Sequence, residues 1–137
     1  MEGRWNAEGN KVIYSAESIA LAFLENIIRR QGVGFNNDFR IMIIDIPDRT
    51  KITTLHPDDL KAGWRDHDNY SECQEHGNKW SYENKTLLLK VPSAVLPQSF
   101  NYVINGTHAD YKKIKLAGVT DLIPDKKIED ILKKYSK

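Results

Sequence analysis

The segment KVIYSAESIALAFLENIIRRQG, Lys11 to Gly32, passes from a β-branched run to a helical repeat within a few residues. Val12, Ile13 and Tyr14 stand between polar residues, which predicts a short strand from Lys11 to Tyr14. The chain is then expected to enter a helix directly. Ser15 is placed as its N-cap, and Glu17 sits in the first turn, where the helix dipole favours an acid. Arg29 and Arg30 occupy the last turn, where it favours bases, and Gly32 stops the helix. Ala20, Leu21, Leu24, Ile27 and Ile28 share one arc at the 3.6-residue period, with Phe23 at its edge, so this stripe is expected to bury against a sheet.

Outward from this pair, Arg40 to Ile46 is nearly all Ile and Met and is closed by Pro47, which predicts a strand buried on both faces. Lys51 to Leu55 is a second β-rich patch, and Asp58 opens a short polar helix toward Trp64. Residues 65–82 are highly charged with poor apolar spacing and are read as an exposed, partly helical insertion. Further strands are expected at Thr86 to Val91, ended by Pro92, at Asn101 to Asn105 and at Lys112 to Leu116, the last two linked through Gly106 and His108. From Asp125 to Tyr135, Ile128, Ile131, Leu132 and Tyr135 line one face of an amphipathic helix whose outer face is rich in lysine. Strands and helices alternate without a regular βαβ rhythm, so the expected class is α+β: a mixed sheet flanked by helices.

A chain of 137 residues with 40% hydrophobic content suffices for one core and is short for two domains, so a single domain over residues 1–137 is expected. Twenty basic residues face 19 acidic ones, which implies no general attraction to nucleic acid or to a membrane. The single cysteine, Cys73, excludes an intramolecular disulfide, and the N-terminal residues lack a signal-peptide pattern. No apolar run approaches the roughly 18 to 20 residues that cross a bilayer. A cytoplasmic protein is the simplest expectation.

Several side chains carry candidate chemistry. Arg4, in the tetrad Gly3-Arg4-Trp5-Asn6, presents a planar fork of donors suited to paired phosphate oxygens, or else is a solvated terminal cation. Trp5 reads more readily as core than as a ligand platform. Glu25 borders the buried stripe of the helix, where it can face a cleft; the alternative is a surface pair with Arg29 one turn later. Tyr14 ends its strand and can project into a pocket or into the core. Ser93 follows a Val-Pro step without a Gly-x-Ser-x-Gly elbow, which argues against a serine hydrolase. Cys73, His76, His67 and the more distant His56 lack the second ligand pair of a zinc site, so no metal is expected. Gly32-Val33-Gly34 follows a helix and reads as a turn.

Taken in order, Gly3-Arg4-Trp5-Asn6, Val12-Ile13-Tyr14, Leu24-Glu25, Val91-Pro92-Ser93-Ala94 and Asn101-Tyr102-Val103-Ile104-Asn105 with His108 resemble the RES domain, a family named for its arginine, glutamate and serine. The resemblance runs from Gly3 to about Asp125. The chain departs from the family in carrying only three residues ahead of Arg4 and in having Gly106 where a proline is usual. The resemblance implies an ADP-ribosyltransferase-like fold, a bacterial toxin of a toxin–antitoxin pair, NAD as substrate without a metal, and neutralisation by an Xre-type helix-turn-helix antitoxin. By it Arg4, Tyr14, Glu25 and Ser93 are the active-site positions, and Arg4, Asn6, Tyr14 and Asn105 bind the substrate.

Breaking the nicotinamide–ribose bond makes the sugar cationic, and a carboxylate stabilises that state more than the ground state. Glu25 is assigned that role. Arg4 anchors the phosphates, Tyr14 packs against nicotinamide or ribose, and Ser93 positions the substrate. The acceptor is water, phosphate or a protein side chain. The alternative function is a RES-like module that holds a nucleotide or an antitoxin without chemistry; a toxin acting on RNA has only the chain's size and its lysine-rich tail in favour. A homodimer is compatible with either of the first two.

Overall fold

The computed structural model describes residues 3–30 and 39–135; the expected stop at Gly32 and the Gly32-Val33-Gly34 turn lie outside them. In chain order the elements are β1 (Val12–Ala16), α1 (Ile19–Arg30), β2 (Arg40–Asp45), β3 (Ile52–Thr54), α2 (Ser71–Glu83), β4 (Leu88–Pro92), β5 (Phe100–Asn105), β6 (Lys115–Asp121) and α3 (Lys126–Tyr135). Four strands form one sheet in the order β1-β5-β4-β3, and β2 pairs with β6 in a separate ribbon. β5 is antiparallel to both β1 and β4, whereas β3 runs parallel to β4. The class is α+β, with the mixed sheet at its centre.

The two middle strands divide the core because their side chains alternate between faces. Leu89, Val91 and Val103 point to one face and pack with Trp5, Cys73 and Trp80. Leu88 and Ile104 point to the other, with Leu87, and receive Ile44, Ile46, Tyr111 and Ile114. Val91, Val103 and Ile104 have no exposed surface. Each such side chain contributes about 1.5–3 kcal/mol on burial, so β4 and β5 anchor both layers.

The strand-to-helix passage differs from its expected boundaries. β1 continues to Ala16, since Ser15 and Ala16 pair with Tyr102 and Asn101. Ser15 donates its hydroxyl to Tyr102 O and is not a cap, and the Glu17 carboxylate accepts from Phe100 N at 3.2 Å, outside the helix. Ser18 caps α1, accepting from Leu21 N at 3.1 Å. A long-range ladder has overridden a local capping preference, and Tyr14 consequently sits mid-strand. Leu21 is buried and Phe23, Leu24 and Ile27 are half-buried, but Ala20 and Ile28 lie at the exposed margin of the stripe.

Four other expectations are corrected. β2 is not buried on both faces: it pairs only with β6, and Met42 and Ile43 are 64% and 45% exposed. The helix expected from Asp58 is one 3₁₀ turn, Pro57–Asp59, closed by a bond from His56 N to Asp59 Oδ2. Residues 65–82 are no exposed insertion, because α2 carries Cys73, Gly77 and Trp80 into the core. Those three are spaced i, i+4 and i+7, a helical stripe disguised by a cysteine and a glycine. The strand expected at Lys112 to Leu116 starts at Lys115, and Ala109–Lys113 forms a 3₁₀ turn instead. Among the described residues no helix is long and apolar enough to cross a membrane.

Candidate active site

Residues paired across a sheet share a face, and residues two apart repeat it. By register, Tyr14, Ala16, Asn101, Val103 and Val91 therefore point to one side, and Ser93 continues the Val91 side just past β4. Tyr14 lies about 7 Å along the sheet from the Ala16–Asn101 pair. α1 and the N-terminal loop meet over this face.

The loop is a tight turn, with Gly3 N donating to Asn6 O at 3.1 Å and Asn6 N to Gly3 O at 3.4 Å. The Tyr14 hydroxyl accepts from Trp5 N at 3.1 Å and donates to Asn6 Oδ1. From α2, Gln74 Nε2 donates to Gly3 O at 2.8 Å and to Asn6 O at 3.3 Å, and Asn78 Oδ1 accepts from Ala7 N. Trp5 is buried, its ring 6.5 Å from that of Trp64. A turn pinned by Trp5 and Asn6 sets Arg4, partly buried, against the backbone of residues 64–66.

The Arg4 guanidinium lies 4.5 Å from the Tyr70 ring centre. Its Nη1 donates to Trp64 O and Asp66 O, and Nη2 to Arg65 O at 3.3 Å. These bonds, with a further contact to the Cys73 thiol, fasten the guanidinium to the backbone of residues 64–66 and to α2. Tyr14 is pushed up to about 12, first by burial and against the lowering effects of the Trp5 amide and the Arg29 and Arg4 charges. It is a neutral phenol at physiological pH.

Glu25 is held from both sides. Its Oε1 accepts from Ser93 Oγ at 2.9 Å and its Oε2 from Asn101 Nδ2 at 3.1 Å, in place of the alternative pairing with Arg29. Ser93 has no exposed surface, and its Oγ also accepts from Val95 N and Leu96 N, both at 3.1 Å. A hydroxyl has one hydrogen and two lone pairs, so Ser93 is a fixed donor to the carboxylate. That arrangement does not suit a nucleophile.

Tyr14, the Trp5 amide and Asn6 thus form one hydrogen-bonded group in the turn that carries Arg4, and Glu25, Ser93 and Asn101 a second on the same sheet face. Asn105 belongs to neither. It lies four residues beyond Asn101, roughly 13 Å away along the strand, and is buried. Its Nδ2 donates to Asn84 Oδ1, and its Oδ1 accepts from the Thr107 amide and hydroxyl, so it closes the turn after β5. Asn101, which meets Glu25, was not among the expected site residues, although it carries a signal: a polar side chain in phase with buried Val103. A depression of about 500 Å³ lined by Asn10, Lys11, Val12, Ile13, Gly106 and Tyr111 sits at the Asn105 end, away from Glu25. Among the described residues no three of His, Cys, Asp and Glu converge as a metal-holding group. Cys73 is core, and His76 lies beside Glu72 at 3.8 Å.

The chain is similar to known proteins both in sequence and in fold. A protein of Sphingobium named Prs ADP-ribosylating toxin is 32% identical over 125 residues, covering 90% of this chain and 78% of that protein. A Yersinia enterocolitica protein named Toxin Res is 32% identical over 110 residues, covering 80% and 72% of the two chains. In fold the chain is similar to a chain in the crystal structure of the M. tuberculosis MbcT–MbcA toxin–antitoxin complex, with a TM-score of 0.72 and 20% identity, covering 97% of this chain and 75% of that one. The RES domain model matches residues 1–125, and with relatives at this identity and coverage the chain belongs to the RES domain family.

Proposed function

We propose that the protein is a toxin that binds NAD and cleaves its nicotinamide–ribose bond. The observation that carries this reading is the Glu25 carboxylate, clamped by Ser93 and Asn101 on the sheet face that Tyr14 shares. The substrate's ribose lies against Glu25 with the pyrophosphate toward Arg4. As the C1′–N bond breaks, its electron pair leaves with neutral nicotinamide and positive charge grows on the sugar. A carboxylate already fixed by two donors meets that charge without reorganising, which is the source of selective transition-state stabilisation. Tyr14, neutral and 40% exposed, holds the Arg4 turn and offers its ring to the nicotinamide or ribose. An oxygen nucleophile from water, inorganic phosphate or a protein then bonds to C1′. Names of relatives support the reading, one of them an ADP-ribosylating toxin.

The test is nicotinamide release from NAD, with the second product separating the acceptors: free ADP-ribose, its 1″-phosphate, or labelled protein. Glu25→Gln keeps the shape of the side chain and removes its charge. Turnover is expected to fall by about 100-fold or more, with an unchanged circular dichroism spectrum. Undiminished release would overturn the reading, and tight NAD binding without release would select the non-catalytic module instead. The partner in this reading is an Xre-type helix-turn-helix antitoxin, whose co-expression relieves growth arrest.

A further inference from the structure

We propose that Arg65 is a positioning residue that fixes the Ser93–Glu25 hydrogen bond from outside the pocket. Its Nε donates to Ala94 O at 2.9 Å and its Nη2 to Val95 O at 3.4 Å, a forked grip on the two peptides that follow Ser93. Those peptides belong to the turn that delivers the amides of Val95 and Leu96 to Ser93 Oγ. With both lone pairs of the hydroxyl taken by amides, its one hydrogen is left to point at Glu25. The orientation of the serine is therefore set by the turn, and the turn is held by Arg65.

Arg65 is itself held. Arg4 donates to the carbonyls of Trp64, Arg65 and Asp66, so the backbone that carries Arg65 is fastened to the N-terminal loop. The two arginines interlock: one binds the backbone beneath the other, and the other binds the serine turn. This links the Arg4 turn to the Glu25 group by a second route besides the sheet. A lysine cannot replace Arg65, since a single ammonium lacks the planar fork that engages two carbonyls at once.

The kinetic part of this inference rests on the NAD-cleaving reading; the structural part does not. Arg65→Met, which keeps the length and removes the fork, is compared with Arg65→Lys and with Ser93→Ala, alone and combined with Arg65→Met. Amide hydrogen exchange at Val95 and Leu96 is expected to accelerate by about tenfold or more in both Arg65 variants. Nicotinamide release should show a fall in kcat of roughly ten- to hundredfold with KM for NAD nearly unchanged. Adding Arg65→Met to Ser93→Ala should cost little more than Ser93→Ala alone, because both act through one hydroxyl. Unaltered exchange at Val95 and Leu96 would refute the positioning role, as would a rise confined to KM, which marks direct phosphate binding. Should the wild-type protein release no nicotinamide, the functional reading falls, and the exchange measurement still decides the role of Arg65.

Discussion

Replacing Gly77 with alanine sets a methyl group against the backbone that carries the candidate site. A Cβ at this position would lie 1.6 Å from Trp5 O and 2.7 Å from Trp5 C, where real contacts are no closer than 3.0 Å. The carbonyl must retreat by about 1.4 Å, and it has no free space to enter because Trp5, Cys73 and Trp80 are packed around it. Alanine gains about 0.5–1 kcal/mol over glycine in a helix interior. Overpacking costs about 1–3 kcal/mol, and an overlap with backbone belongs at the upper end of that range. The net effect is a loss of roughly 2 kcal/mol, or a fall in Tm of about 6–10 °C for a domain of this size. Activity should suffer more than stability, because Trp5 stands between Arg4 and Asn6, and a misplacement of about 1 Å can cost 100-fold in rate. Thermal denaturation and nicotinamide release on Gly77→Ala, with Lys79→Ala as the control on the exposed side of the same helix, test this. A rise in Tm with turnover intact would show that the α2–loop contact does not hold the site.

Further outcomes follow from the same geometry. Tyr14 titrates near pH 12 in the folded state against 10 in the unfolded chain, so its contribution is fully present below pH 10 and is lost as pH rises toward 12; denaturant midpoints should fall over that window more steeply in the wild type than in Tyr14→Phe, and equal slopes would contradict the burial of the phenol. Ser93→Ala strands the amides of Val95 and Leu96 together with Glu25 Oε1, so a loss of about 2 kcal/mol is expected in urea unfolding; a neutral effect would mean that the turn re-satisfies itself. Cys73 is 1% exposed and its thiol is pushed up by burial, so a thiol reagent at pH 8 should label it about 100-fold more slowly folded than in urea; rapid labelling of the native protein would place α2 outside the core.

Much of the fold was legible because local periodicity and long-range packing agreed. β1, α1, β4, β5 and α3 all lie where their patterns place them, within a few residues. Disagreement arose where burial depends on a partner. The run Arg40 to Ile46 is apolar enough for two buried faces, yet its strand found one neighbour, and Met42 stands 64% exposed. α2 was unreadable for the opposite reason: its buried positions include a glycine, chosen for the close approach of Trp5 and not for hydrophobicity. Asn105, expected to bind substrate, spends its amide on Asn84 and Thr107. Asn101, which was passed over, meets Glu25.

Motif order alone was enough to identify the kind of chain and to propose Arg4, Tyr14, Glu25 and Ser93 as candidates, because residue chemistry and spacing are properties of the linear polymer. Folding alone decided how those groups are paired: Glu25 with Ser93 and Asn101, Arg4 with the carbonyls of residues 64–66, Tyr14 with the loop from Trp5 to Asn6. Hydrogen bonds reach about 3 Å, and contacts between residues some sixty or more positions apart exist only once the sheet has brought α1, the N-terminal turn and the serine turn to the same face.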